Sequence, residues 1–299
     1  MPSRIPPHLR MPVVVYAITQ VGFLFWWVAL YPGQITYDSV TYIWQVTEDR
    51  WMTNHSVLYD VLVWLSLTAS GGVALLCFLQ TVALAASIAY TAVGIRALGV
   101  RGRWLAACAA LMPVFPSIGM LSIYVSKDVP FVIAQILLVG TLARIIVIRR
   151  AARRTGTPAV VGDRSSSLAA RVRSSLRIQD RRLRTLLWLV FAEMVGLALF
   201  RQNGLLVAAA TGLVVAVLMA GLRTWFTVTG ISAALVSTMA NLVVFPALGV
   251  EPARSELLLG PAYADIAMIY RERPSVVYAR DRELMEKLAP LSTWRDNAT

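Results

Sequence analysis

Six side chains in this sequence could work together as a proton-transfer and anion-binding set: Asp38, His55, Lys127, Asp128, Arg201 and Asn203. A carboxylate such as Asp38 can accept the proton of a hydroxyl. It opens the stretch DSVTYIWQV, which reads as a helix start, so it can equally serve as the cap of that helix. His55 closes the same polar segment, which also holds Glu48 and Asp49. A lone histidine is as readily a structural hydrogen-bonding residue as a catalyst. Asp60 follows in the next apolar piece, as a second acid of the site or as a buried hydrogen-bonding group. Lys127 is one of two lysines in a chain that otherwise uses arginine, and a compact ammonium suits phosphate as a point charge. Asp128, followed by Val129-Pro130, marks a helix start, whose free N–H groups would add to an anion site. Arg201 in FRQNG, with Asn203, closes an apolar run; it either binds anions and sugar hydroxyls or snorkels to the interface. Glu193 reads as a mid-membrane acid, functional or engaged in an interhelical hydrogen bond.

These groups need elements to hold them. The chain is 58% hydrophobic, more apolar than a water-facing surface requires, and several runs approach the ~20 apolar residues that cross a bilayer. The expected fold class is an all-α polytopic membrane protein with about seven transmembrane helices, near 11–31, 72–95, 104–123, 129–148, 185–200, 204–222 and 225–247. The stretch 57–69 is too short to span and reads as interfacial or re-entrant. The loop 149–184 holds eleven arginines against Asp163 and Asp180, which places it in the cytoplasm by the positive-inside rule. With 57–69 not crossing, Arg4, Arg10, Arg96, Arg101, Arg103 and Arg223 share that side. The N-terminus is then cytoplasmic, and the first loop (32–71), the turns 124–128 and 201–203 and the tail are external. The organisation is a membrane module over 1–247 and an external tail over 248–299 with short helical pieces, one at 280–289. The net charge of +12 comes mostly from the arginine loop and does not argue for nucleic acid. Cys77 and Cys108 lie inside apolar runs and form neither a disulfide framework nor a zinc pattern.

Taken in order, YPGQITYDSVTYIWQ, NHSVLYDVLVW, SKDVPFVIA and FRQNGLL resemble the GT-C class of integral-membrane glycosyltransferases. More narrowly, they resemble a bacterial GT-C-like membrane family with a Pro-Gly…Tyr-Asp-Ser start, a loop histidine, a Lys-Asp and an Arg-x-Asn. The resemblance implies a seven-helix module with a long first external loop in a bacterial plasma membrane. It implies a polyprenyl-phosphate-linked sugar as donor, an acceptor glycan, lipid or protein, and inverting transfer on the external face. Asp38 would act as base or acceptor-site acid, and Lys127 and Arg201 would hold the lipid phosphate. No ligand spacing demands a cofactor, although Asp38 with Asp128 or Glu48 could hold a divalent metal. The chain departs from the family at Ser56, where a proline is usual, and at Thr299, beyond which further helices are expected; a fragment, half of a split protein or a degenerate copy is anticipated. Two other classes use the same residues: a transporter or flippase for a lipid-linked or anionic substrate, which repeats and broken mid-membrane helices would signal, and a non-catalytic assembly subunit.

Overall fold

The computed structural model describes residues 7–53, 55–154, 180–201, 204–252 and 260–296, whose regular elements are all helices, with no strand among them. Asn203 and residues 155–179 of the arginine loop lie outside the described residues. The chain forms two compact units, Met1–Glu251 and Pro252–Thr299.

In the first unit, five helices are long and apolar enough to cross a membrane. They are α1 (Pro7–Ala29), α4 (Ala74–Ala97), α7 (Asp128–Arg154), α8 (Arg181–Phe200) and α10 (Arg223–Met239). The last continues through a π turn, Ala240–Val244, to Ala247. Their outward faces show Val21, Phe25, Trp188 and Leu235 among many exposed apolar side chains, a pattern that suits lipid rather than water. Helix α8 begins earlier than its apolar run because Asp180 caps it, accepting the N–H groups of Arg182 and Leu183.

The other two expected spans take a different form. The run 104–123 is broken into α5 (Gly102–Leu111), a 3-10 turn at Met112–Val114 and α6 (Pro116–Leu121). Pro113 and Pro116 each lack an N–H and crowd the preceding turn, which ends a helix. The break leaves carbonyls without helical partners, and the Trp26 indole of α1 donates to the Pro113 carbonyl at 2.7 Å. The run 204–222 forms α9 (Gly204–Leu218), whose 15 residues rise about 22 Å, short of the ~30 Å hydrocarbon core. In α10 the π turn lies directly ahead of Pro246, where the missing N–H and ring clash favour a widened turn.

Between α1 and α4 lie α2 (Tyr37–Thr47) and α3 (Val57–Ser70). Helix α3 has 14 residues, about 21 Å of rise. Both of its ends are fixed at one end of the bundle. The Ser56 hydroxyl donates to the Leu199 carbonyl at the close of α8, 3.0 Å, and Ser66 Oγ accepts the Leu76 N–H at the start of α4, 3.0 Å. It therefore lies against the bundle end, as its length predicts.

Helix α4 packs between α1 and α7, α7 packs on α8, and α9 and α10 pack on each other and on α8. The α4–α7 contact is close because Gly94 and Gly140 face each other: a Cβ on Gly94 would come within 2.6 Å of the Gly140 carbonyl. Small residues at such crossings let helix backbones approach in lipid. One apolar core (Leu138, Leu187, Met194, Leu197, Phe226) joins α7 to α10, and a second (Val15, Phe23, Leu84, Ile88) joins α1, α4 and α5. A third lies at the bundle end under α2 and α3, around Tyr42, Tyr59, Val63, Leu76, Cys77 and Val125.

The second unit is helical over α11 (Gly260–Glu272), α12 (Ala279–Leu288) and α13 (Leu291–Asp296). Its core is Ala267, Tyr270, Met285 and Trp294. Helix α12 is close to the expected 280–289 piece. The 13-residue α11 is longer than the short pieces expected of the tail; Pro261 lies in its first turn, where proline is compatible with a helix.

Candidate functional site

The segment that carries Asp38 is fastened to the α6–α7 connection before α2 begins. The Gln34 N–H donates to the Ile123 carbonyl (3.0 Å), and the Val125 N–H donates back to the Gln34 carbonyl (3.1 Å). Gly33 allows this approach: its φ is +144°, and a Cβ there would meet Cys77 Sγ and the Ile123 carbonyl. Helix α2 then starts with a reciprocal cap. Thr36 Oγ1 accepts the Ser39 N–H and Ser39 Oγ accepts the Thr36 N–H, while Ser39 donates to the Val125 carbonyl at 2.7 Å. The cap of α2 is thus Thr36, which corrects the reading of Asp38 as a cap and leaves its carboxylate free.

That carboxylate faces Lys127. The ammonium donates to Asp38 Oδ2 at 3.4 Å and to His55 Nδ1 at 2.9 Å. An ammonium has only donors, so Nδ1 must accept and the proton of a neutral imidazole sits on Nε2. Burial and then the Lys127 charge lower the His55 pKa below its usual value, with Asp38 opposing; the ring is held neutral. His55 packs edge-on against Tyr42 at 5.0 Å, Tyr42 against Tyr59 at 4.9 Å, and the Lys127 ammonium lies 5.9 Å from the Tyr42 ring centre.

The next acid behaves the same way. At the start of α7 the Ser126 hydroxyl accepts the Asp128 N–H at 3.2 Å, so Asp128 is not needed as a cap. Its Oδ1 lies 3.1 Å from Arg201 Nε in an ion pair that lacks hydrogen-bond alignment. Arg201 also stacks over Phe131 at 5.4 Å. Five of the six predicted side chains therefore meet at one end of the bundle, where α2, α3, α7 and α8 converge. The sixth, Asn203, lies outside the described residues.

Two acids that precede His55 in the same segment do not join. Glu48 and Asp49 follow α2, some ten residues and about 15 Å along the helix from Asp38; both are exposed, and Asp49 accepts the Trp51 indole N–H at 2.9 Å. Among the described residues no three His, Cys, Asp or Glu side chains gather closely enough to hold a metal ion; Asp38 and Asp128 each face a base. Glu193 lies elsewhere, accepting from Thr141 at 2.7 Å, and Thr141 in turn pairs with Tyr90. Its position is the interhelical hydrogen bond between α8 and α7.

Beneath the site lies a buried polar layer that the sequence only half disclosed. Tyr42 and Asp60 are fully buried, and among the described residues neither the phenol oxygen nor either carboxylate oxygen has a hydrogen-bond partner. Burial raises the Asp60 pKa to about 7, against the lowering field of Lys127. Burial, then Asp38 and Asp60, push the Tyr42 phenol upward. Tyr59 is engaged: its hydroxyl donates to Gln80 Oε1 at 3.0 Å, and Gln80 Nε2 donates to the Tyr124 carbonyl at 2.8 Å. Tyr42 could have been found, since it stands four residues after Asp38 and shares its helix face. Gln80 could not, because nothing local ties it to residue 124. Comparison with protein-family models, with curated proteins and with solved structures found no match to this chain.

Proposed function

We propose that this chain is a membrane glycosyltransferase that moves a sugar from a polyprenyl-phosphate donor to an acceptor hydroxyl at the external face of a bacterial plasma membrane, within a GT-C-like module in which the broken α5–α6 stretch and the short α9 complete seven crossings beside the five long helices. The observation that carries the reading is the Lys127 ammonium set between Asp38 and His55, with Asp38 released from capping by Thr36. The arginine-rich stretch supports the sidedness, since the end of α7 and the start of α8, which it joins in sequence, lie at the bundle end opposite the site.

In the proposed step, the acceptor oxygen attacks the anomeric carbon while the bond from that carbon to the phosphate oxygen breaks. The acceptor proton passes to the Asp38 carboxylate. The bonding pair leaves with the lipid phosphate, whose added charge Lys127 and Arg201 stabilise. One displacement gives inversion. In the resting state Asp38 and Asp128 are the counter-charges of Lys127 and Arg201. His55, neutral and accepting from Lys127, aims the ammonium.

The test is release of polyprenyl phosphate by the full chain, supplied with a panel of short-chain polyprenyl-phosphate hexoses and hydroxyl acceptors. Asp38→Asn should abolish release while leaving helix content unchanged. Release at the wild-type rate by that variant would remove the base assignment. No release by wild type with any donor would overturn the reading.

A further inference from the structure

A cavity of about 270 Å³ opens beside the ion pairs, between the start of α3, the last turn of α8, the start of α9 and the last turns of α10. His55 and Arg201 border it on the site side; Leu205, Leu242 and Phe245 border it on the other. Three features set its chemistry. First, the end of α8 presents orphan carbonyls that would repel an anion, but the Ser237 hydroxyl donates to the Ala198 carbonyl (3.1 Å) and Ser56 to that of Leu199 (3.0 Å). The wall is neutralised, and Arg201 supplies the net charge. Its Nε faces Asp128, while its terminal nitrogens have no partner among the described residues.

Second, Thr238, Asn241 and Leu242 of the lining are exposed on the side of α10 that also shows Leu235, Met239 and Val243. That side faces lipid, where polar groups are costly unless a partner meets them; the Asn241 amide N–H donates to the Ser237 carbonyl of its own helix at 2.8 Å, which leaves its Oδ1 and the Thr238 hydroxyl without a partner among the described residues. Third, the π turn at Ala240–Val244 displaces this wall, and such turns recur at functional sites. The volume is below the ~300–1,000 Å³ of pockets for whole drug-sized ligands, so it fits part of a longer molecule.

From this arrangement we infer that the cavity holds the head-proximal part of a lipid phosphate, which enters sideways from the membrane past the exposed Thr238, Asn241 and Leu242 of α10 with its phosphate toward Arg201 and its hydrocarbon along Leu205, Leu242 and Phe245. The inference rests on the reading of the site as one for lipid phosphates, and it adds α10 and a lateral route to that site. A bulk phospholipid headgroup and an isoprenoid phosphate share this chemistry.

Direct binding to the full chain in detergent tests it, with geranyl phosphate as probe and geraniol, inorganic phosphate and dilauroyl phosphatidic acid beside it. Thr238→Trp fills the mouth of the cavity, and Asn241→Asp places a like charge there without changing size. Each should raise the Kd for geranyl phosphate by at least about tenfold, and geraniol and inorganic phosphate should bind wild type at least about tenfold more weakly. An unchanged Kd in Asn241→Asp would overturn the inference, even if Thr238→Trp fails to fold. Equal binding of geraniol would overturn its anionic half. Phosphatidic acid binding as tightly as geranyl phosphate would keep the cavity assignment and name a bulk phospholipid as its occupant. Normal binding with no transfer from any donor would separate this site from the glycosyl-transfer reading, which would then fail alone.

Discussion

The two ends of the first unit use the same cations for different ends. At one end, arginines such as Arg96, Arg101, Arg103 and Arg150 crowd the helix termini, and the only acid there among the described residues, Asp180, caps α8. At the other end, Thr36 caps α2 and the Ser126 hydroxyl accepts the Asp128 N–H, and Asp38 and Asp128 face Lys127 and Arg201. A carboxylate that caps a helix is committed to backbone N–H groups. One relieved of capping by a hydroxyl neighbour can accept a proton or compete with a phosphate. The two ends thus differ in which side chain takes the first turn's N–H groups.

The sharpest break of that contrast is to neutralise the acids at the two ends. Asp38→Asn should lower transfer by roughly 10²–10⁴-fold with no loss of thermal stability, whereas Asp180→Ala should leave transfer intact and cost about 1 kcal/mol of stability. Equal effects on transfer would erase the distinction. Lys127→Met should lower transfer by roughly 10²–10³-fold. It should also raise the His55 pKa in an NMR titration, since Lys127 is the second cause of its depression after burial. An unmoved histidine would mean the 2.9 Å contact carries no charge.

Asp60 gives a pH signature that the arginine end lacks. Its folded pKa, about 7, stands above its ordinary 3.8. The folded state therefore keeps the proton after the unfolded chain has lost it, and the associated stability is full below about pH 4 and declines as pH rises through about 7. Asp60→Asn should remove this decline, so its advantage over wild type in thermal unfolding should be larger at pH 8 than at pH 5. Parallel curves for the two proteins would contradict the buried, unpartnered placement. Arg201→Lys should raise the KM for donor by roughly tenfold, because the ammonium lacks the guanidinium fork, while Asp128→Asn, in a half-exposed pair, should change stability by no more than about 1 kcal/mol. The smallest effect belongs to the far end: Arg101→Gln with Arg103→Gln should change transfer by less than about twofold, since such distant charges are screened.

Much of the frame was legible in the chain itself. The long apolar runs, the shortness of 57–69 and the placement of Asp38, His55, Lys127, Asp128 and Arg201 at helix ends are local properties, and helix ends cluster when spans alternate in direction. The fate of individual groups was less accessible. Whether Asp38 or Thr36 caps α2 depends on the Gln34–Tyr124 bridge that fixes the entering backbone. The continuous span expected at 104–123 fails because Pro113 and Pro116 act together and Trp26 takes the freed carbonyl. The burial of Asp60 and the cavity wall on α10 depend on tertiary neighbours with no local trace.

Sidedness of the site end is the claim on which the rest depends. Its most direct measurement is labelling of single cysteines by a membrane-impermeant maleimide in right-side-out vesicles, with exposed Cys108 replaced by serine. Tyr37→Cys and Leu248→Cys, both at the site end and both exposed, should label from outside, and Arg182→Cys should label only after permeabilisation. Labelling of Tyr37→Cys and Leu248→Cys from opposite sides, or of both only after permeabilisation, would contradict an external site.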